Sequence, residues 1–116
     1  MTPNDYLKLS SRTATKEDFT HVTLGLITES AEFADIVKKN YAYDKPFDKV
    51  NAVEELGDLL WYVAMAMRLL DTDFETVFQI NIEKLRARYP DGFDKDKAMF
   101  RDVATELEIL ERGVNE

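Results

Sequence analysis

The sequence contains no cysteine and a single histidine, His21, among its 116 residues. Without cysteine, the chain has no disulfide framework and no thiolate to serve as a nucleophile or a metal ligand. One histidine also excludes the di-iron carboxylate bundles, which take a Glu-x-x-His motif from each of two helices. Any catalytic or metal site must therefore be built mainly from oxygen ligands.

Long apolar runs and an excess of basic residues are also missing. No stretch approaches the roughly 18 to 20 apolar residues of a membrane span, and the N-terminus lacks a signal-peptide pattern. The net charge of −8 disfavours nucleic acid polymers, whose phosphate backbone requires a basic face. A free nucleotide remains a possible partner, because a divalent cation can reverse the local field. We expect a cytoplasmic protein that binds neither membranes nor nucleic acid polymers.

Glycine and proline are scarce, with four and three residues, and no alternating apolar pattern of a strand is present. The pattern predicts an all-α fold, a compact bundle of about five helices in one domain over residues 1–116. In the second helix, Asp18 is expected to complete a capping box that starts at Thr15. The first predicted helix begins at Thr2 and Pro3 and ends near Ser10 to Thr13. The others run from Thr15 to about Tyr41, from near Pro46 to Asp48 as far as about Leu70, from about Phe74 to Tyr89 and from about Lys95 to Arg112.

The third predicted helix is apolar around much of its circumference. Such a helix normally has neighbours on several sides. A chain of 116 residues provides few helices to surround it, because a small domain buries a limited share of its surface. We therefore expect the protein to be a homo-oligomer.

Two acidic pairs interrupt the apolar stripes of the second and third helices. Glu29 and Glu32 lie in "GLITESAEFADIVKKNY", and Glu55 and Asp58 lie in "NAVEELGDLLWYVAMAM". Residues three apart share a helical face, so antiparallel packing of the two helices can bring four carboxylates into one cleft. Clustered carboxylates repel each other unless cations match them, and they suit hard ions such as Mg²⁺ or Mn²⁺. The alternative is that these acids lie on solvated helix faces.

The order of these motifs resembles the MazG-like all-α nucleoside triphosphate pyrophosphohydrolases. The similarity covers E-x-x-E on one helix, then E-x-x-D within "EELGDLLWY", and extends from "LGLITESAEFADIVKK" to "NIEKLRARYPDGFDKDKA". One departure is Thr28, where the family often has a glutamate. Thr28 points off the ligand face, so the departure need not affect the metal site.

The resemblance implies that Glu29, Glu32, Glu55 and Asp58 form the catalytic and metal site. It implies Mg²⁺ as the cofactor, with Mn²⁺ as a substitute. The implied reaction cleaves a nucleoside triphosphate, with a deoxyribonucleotide as the expected substrate, into a monophosphate and pyrophosphate. The implied purpose is cleaning or remodelling of the nucleotide pool, and the implied assembly is a homotetramer, with a dimer as the alternative.

Candidate phosphate-binding residues follow in "NIEKLRARYP". Asn81, Lys84 and Arg88 share one face of the fourth helix, and they match positions where the family holds the triphosphate with polar and basic residues. The alternative is a solvated basic face near a helix C-terminus. Arg86 points about 100° or more away from this face. Lys39, two turns after the first acidic pair, is a further and weaker candidate.

The nucleoside moiety could contact aromatic residues. Trp61 and Tyr62 follow Asp58 by three and four residues, so either could stack on a base or a sugar, although aromatic residues in so apolar a helix more often belong to the core. His21 lies on the ligand face about two turns before Glu29. It is a candidate for nucleotide contact, with an ordinary packed or surface histidine as the alternative.

Two non-enzymatic functions remain as alternatives from the sequence. One is a helical oligomerisation protein whose acids serve only solubility. The other is a sensor that binds Mg²⁺ or a nucleotide without turnover. A hydrolase is the function that the resemblance to the MazG-like family implies.

Overall fold

The computed structural model describes all residues 1–116 and contains only helices and turns. The all-α prediction is thus confirmed. None of the helices combines the length and the apolar composition that are needed to cross a lipid bilayer. The elements are α1 (Pro3–Ser10), a 3₁₀ turn (Ser11–Thr13), α2 (Phe19–Tyr43), α3 (Lys49–Leu69), α4 (Phe74–Arg88), α5 (Lys95–Met99) and α6 (Val103–Asn115).

Side-chain caps determine where the helices begin. Thr2 and Asp5 form a capping box at the start of α1, which satisfies backbone N–H groups that have no partner within the helix. An aspartate side chain caps every later α-helix in the same manner. These caps are Asp18, Asp48, Asp73, Asp94 and Asp102.

The predicted start of the second helix at Thr15 was wrong. Asp18 has an extended backbone (φ −146°, ψ 163°), and its carboxylate accepts a hydrogen bond from the backbone N–H of His21 at 2.7 Å. It is therefore the cap of a helix that begins at Phe19. At the other end, α2 stops where Asp44 adopts a left-handed conformation with φ 54°.

The predicted last helix, from Lys95 to Arg112, is two helices. Phe100 leaves helical geometry (φ −112°, ψ 70°) at the end of α5. Asp102 then caps α6 by accepting hydrogen bonds from the backbone N–H and the hydroxyl of Thr105. The bundle therefore has six α-helices rather than the predicted five, because an aspartate inside the apolar pattern starts a new helix.

The chain divides into two compact units, residues 1–71 and residues 72–116. In the first unit, α2 packs along α3, and α1 packs on α3. In the second unit, α4 packs on α6, where Gly113 leaves room for the side chain of Ile80. The assignment of a single domain stays a prediction.

Helices α2 and α3 run antiparallel. Early residues of α2 meet late residues of α3, as in the contact between His21 and Tyr62, and Ile36 of α2 lines a cleft together with Asn51 of α3. The core of this unit contains the buried residues Val22, Ile36, Ala52, Ala64, Met65 and Met67.

Close packing of the two helices requires Gly25. A Cβ atom at this position would overlap the ring carbons of Tyr62. Because glycine has no side chain, the Tyr62 ring can lie directly against the backbone of α2. This contact fixes the separation of the helices one turn before the first acidic residue of α2.

Arg68 ties the N-terminal segment to α3. Its Nε donates to Oε1 of Glu17 at 2.7 Å, and its Nη1 donates to the carbonyl oxygen of Leu7 and to Oγ of Ser10, both at 2.9 Å. Its side chain is only 16% exposed. A half-buried arginine with these partners holds α1 and the start of α2 in place.

We predict that Arg68→Met lowers the free energy of unfolding by about 2 to 4 kcal/mol, because Glu17 and the Leu7 carbonyl lose a charged donor. Urea denaturation measures this change. Arg12→Met is the matched control, since Arg12 is exposed, and it should change the free energy by less than about 0.5 kcal/mol. Equal losses in the two variants would contradict the anchoring role of Arg68.

Candidate metal centre

Three carboxylates from α2 and α3 converge on one point. Glu29 and Glu32 lie one turn apart on α2, and Glu55 of α3 lies opposite them. One oxygen from each side chain lies within 4.8 Å of the others. The antiparallel arrangement explains this convergence, since it places the i, i+3 pair of one helix against the acidic turn of the next.

Two of these carboxylates carry oxygen atoms that are buried without a partner. Oε2 of Glu29 and Oε2 of Glu55 are shielded from solvent and accept no hydrogen bond from a residue outside the acidic cluster, and Glu55 as a residue is only 8% exposed. A buried polar atom without a partner is costly. The three acids also form no ion pair with lysine or arginine. This set of hard oxygen donors fits a divalent cation such as Mg²⁺.

Burial and mutual repulsion change the ionisation of the cluster. Burial, followed by the neighbouring carboxylates of Glu32 and Glu29, raises the pKa of Glu55 to about 7. Burial is also the largest cause of the raised pKa of Glu29. Without a cation, the cluster therefore retains a proton at a pH where isolated glutamates are ionised.

Asp58 is not part of this group of three. It is exposed, and it acts on the group through its charge, which contributes to the raised pKa of Glu29. The same charge contributes to the raised pKa of Tyr6 in α1, for which burial is the larger cause. The structure thus places Asp58 at the edge of the cluster, and its role as a metal ligand stays a prediction.

A cleft of about 380 Å³ opens beside the acids. Lys39, the weaker candidate for phosphate binding, lines this cleft. Its ammonium lies 2.8 Å from Oδ2 of Asp35. Asn51, which the sequence analysis missed, also lines the cleft. The available signal was its position four residues before Glu55, on the same face of α3.

The three aromatic candidates form one group. The Tyr62 ring meets His21 and Trp61 edge to face, with centroid distances of 5.5 and 5.0 Å. Nδ1 of His21 donates to the carbonyl oxygen of Lys16 at 2.7 Å, so Nε2 is left as the acceptor, 3.5 Å from the Tyr62 hydroxyl. Trp61 Nε1 donates to Oγ1 of Thr13 at 2.9 Å. The group is half-buried.

The candidate phosphate ligands of α4 lie in the second unit and differ in their surroundings. Asn81 is exposed, and Lys84 is half-buried and forms no ion pair. Arg88 instead forms an ion pair with the buried Glu106, with Nε 2.7 Å from Oε1. The sequence analysis missed Glu106, because nothing in its local pattern distinguishes it from the other acids of α6.

Comparison with known families decides the relationship of the chain. The MazG nucleotide pyrophosphohydrolase domain matches residues 17–93. The chain belongs to this family. The resemblance inferred from the motifs is thereby confirmed, and the matched residues include both acidic pairs and α4.

One relative of this MazG protein is the "Gene 37 protein" of Mycobacterium phage L5. The two are 38% identical over an alignment of 82 residues, and the match covers 66% of this chain and 70% of the relative. No solved structure matches the chain significantly. MazG domains act on nucleoside triphosphates and generally use divalent metals, in agreement with the cluster of oxygen donors described above.

We predict that stabilisation by divalent metal increases with pH. The pKa of Glu55 is raised from 4.5 to about 7, so in the metal-free protein its contribution to stability is present below about pH 4.5 and is lost as the pH rises through about 7. Metal must displace this proton. Thermal scans with and without Mn²⁺ should therefore nearly superimpose near about pH 5.5. Near about pH 8, a Mn²⁺ concentration about a hundredfold above Kd should raise the free energy of unfolding by about 2.7 kcal/mol, which appears as a higher Tm.

The matched control is Glu55→Gln, which keeps the shape of the side chain but cannot ionise. Its metal-induced shift should be small at both pH values. Superimposable scans of the parent protein at the higher pH would contradict the metal site, and a parent shift that does not depend on pH would contradict the ionisation of Glu55.

Proposed function

We propose that this MazG protein is a Mg²⁺-dependent nucleoside triphosphate pyrophosphohydrolase that converts a triphosphate, preferably a deoxyribonucleotide, into a monophosphate and pyrophosphate. The supporting observation is the convergence of Glu29, Glu32 and Glu55 with unpartnered buried oxygens. A small enzyme of this kind suits the cleaning or remodelling of a nucleotide pool.

The acidic residues of the proposed site bind the metal ion and accept a proton. Glu29, Glu32 and Glu55 hold the ion, and Asp58 at the edge of the cluster completes the set. A bound Mg²⁺, or Mn²⁺ in its place, supplies Lewis acidity at the phosphate oxygens and acidifies water. The attacking water must also lose a proton, and a carboxylate of Glu29, Glu32 or Glu55 accepts it.

Basic residues neutralise the phosphate chain. Lys84 forms no ion pair, so its ammonium is available to a phosphate oxygen without breaking an existing contact. Arg88 and Asn81 share its face of α4. Lys39 lies on the cleft beside the acids, where exchange of Asp35 for a phosphate oxygen would keep its charge matched.

The aromatic group receives the nucleoside. His21, Trp61 and Tyr62 lie on the same two helices as the acids, and the rings are half-buried rather than sealed in the core. Each ring has a polar atom with a defined partner, so their orientations are fixed before a base arrives. Aromatic rings held in this manner suit stacking on a base or a sugar.

We also propose that the protein is a homotetramer, with a dimer as the alternative. On α3, the side chains of Val50, Val53 and Leu60 are 82%, 60% and 47% exposed. They are spaced by three and seven residues, so they form one apolar stripe. An exposed apolar stripe on the central helix of a small protein favours burial against another copy.

The decisive experiment incubates the purified protein with each common NTP and dNTP plus Mg²⁺ and separates the products by ion-exchange chromatography. A monophosphate and pyrophosphate in equal amounts support the proposal. Binding of a nucleotide without products would indicate a sensor. Neither binding nor products would indicate an oligomerisation protein.

We predict that Lys84→Ala lowers kcat/KM by about 30- to 1000-fold, the effect of losing roughly 2 to 4 kcal/mol of transition-state stabilisation. Metal-induced stabilisation should remain near the parent value. Arg86→Ala is the control on the same helix, since Arg86 is exposed, and it should change turnover by less than about threefold. Equal losses would indicate a general charge effect instead of a specific phosphate contact.

Light scattering should return a multiple of the 13.4 kDa chain mass, a tetramer in preference to a dimer. Val53→Lys places a charge in the middle of the apolar stripe and should reduce the mass. Glu54→Lys is the control, since it adds a lysine at the adjacent exposed position outside the stripe. A parent protein of 13.4 kDa at micromolar concentration would contradict the assembly.

A further inference from the structure

A buried carboxylate, Glu106, forms the electrostatic centre of the second unit. It is 3% exposed. It accepts hydrogen bonds from Nε and Nη2 of Arg88 at 2.7 and 3.2 Å, and from Nε of Arg101 at 3.1 Å. The hydrogen bonds from Arg88, followed by those from Arg101, lower the pKa of Glu106 to about 2. All three groups are therefore charged at neutral pH.

This triad joins a residue of the family domain to residues beyond it. Arg88 lies within the matched residues 17–93, whereas Arg101 and Glu106 follow that segment. The C-terminal part of the chain thus supplies the carboxylate that holds Arg88.

The pairing leaves part of Arg88 unused. A guanidinium carries five N–H donors, and the contact with Glu106 uses those at Nε and Nη2. Nη1 takes no part in the contact with Glu106, and the Tyr89 side chain is a further hydrogen-bond partner of the guanidinium. The side chain is 16% exposed, and its guanidinium lies 5.6 Å from the centre of the Tyr89 ring. Arg88 is therefore held in one orientation, and it keeps guanidinium N–H donors beyond those bonded to Glu106 and Tyr89.

The charges of the triad do not cancel. Two arginines and one carboxylate leave a net charge of +1. Arg101, whose side chain is 43% exposed, offsets the charge of Glu106, so the triad itself is cationic. Asp102, which is close enough for the charge of Glu106 to act on it, and Lys97 line the cleft beside Arg88. With Glu106 and Arg88 alone, the pair would be neutral.

The triad is poorly suited to open and close as an inhibitory latch. Release of Arg88 would leave Glu106 buried with Arg101 as its remaining partner, and removing a partner from a buried carboxylate is strongly unfavourable. The low pKa of Glu106 also means that ordinary changes in pH do not discharge it. The arrangement fits a permanent support.

We propose that Glu106 is a positioning residue for the triphosphate, fixing Arg88 so that a remaining guanidinium N–H donates to a phosphate oxygen, while Arg101 keeps the triad positively charged. This inference rests on the proposed function, since it assigns part of the phosphate contact to Arg88. According to this inference, triphosphate binding requires Glu106 and Arg101 of the C-terminal segment in addition to the acidic cluster.

The test measures two properties of Glu106→Gln and Arg101→Gln: binding of inorganic tripolyphosphate without metal, by calorimetry, and turnover of nucleoside triphosphate with Mg²⁺. Glu106→Gln should lower kcat/KM and tripolyphosphate affinity by about tenfold, although it adds a net positive charge, because Arg88 loses its orientation. Arg101→Gln should raise KM and weaken tripolyphosphate binding by about threefold with kcat unchanged. Arg112→Gln is the control, since it removes the same charge from an exposed position of α6.

Four results would overturn the inference. Faster turnover in Glu106→Gln would show a latch, and a lower Tm with parent-like binding and turnover would show a purely structural triad. Equal effects of Arg101→Gln and Arg112→Gln would show a general charge effect, and this comparison decides the matter if Glu106→Gln fails to fold. A parent protein that binds tripolyphosphate but hydrolyses no nucleotide refutes the proposed function alone, whereas absent tripolyphosphate binding refutes this inference.

Discussion

Mutual repulsion of Glu29, Glu32 and Glu55 is the constraint on which the rest of the first unit depends. Three carboxylates within 4.8 Å of each other push α2 and α3 apart unless packing opposes them. The contact of Tyr62 with Gly25 holds the helices close on one side of the cluster, and the apolar core supports them along their length. The fold thus holds three carboxylates in an arrangement that is unfavourable without a cation. Binding of a cation to the cluster would relieve the repulsion and stabilise the folded protein.

The second unit also buries a carboxylate, but it pairs this carboxylate with arginines of the same unit. In the first unit, burial leaves acids without cationic partners, and they hold a proton. In the second, Glu106 is more deeply buried but receives two arginines, so it stays ionised. The same chemical group therefore has a pKa near 7 at Glu55 and near 2 at Glu106. Burial raises the pKa of both carboxylates, and at Glu106 the hydrogen bonds from Arg88 and Arg101 outweigh that effect.

Much of the fold was predictable from local signals. The helical class, the turns and the fourth helix follow from periodicity and breakers, because these depend on neighbours in the chain. The errors lie where two capping residues compete. Thr15 and Asp18 both fit a cap, and Asp102 interrupts an apolar pattern that otherwise reads as one helix. Which cap is used depends on the packing of the segment, which local sequence does not contain.

The sequence by itself determined the family, the helices and the faces that carry the acidic pairs, because helical spacing fixes which side chains share a face. Only the tertiary structure decided that Glu29, Glu32 and Glu55 converge while Asp58 stays at the edge. It also decided that Arg88 is held by Glu106, eighteen residues along the chain. Contacts between helices depend on how the helices pack, and a pattern along a single helix does not encode that choice.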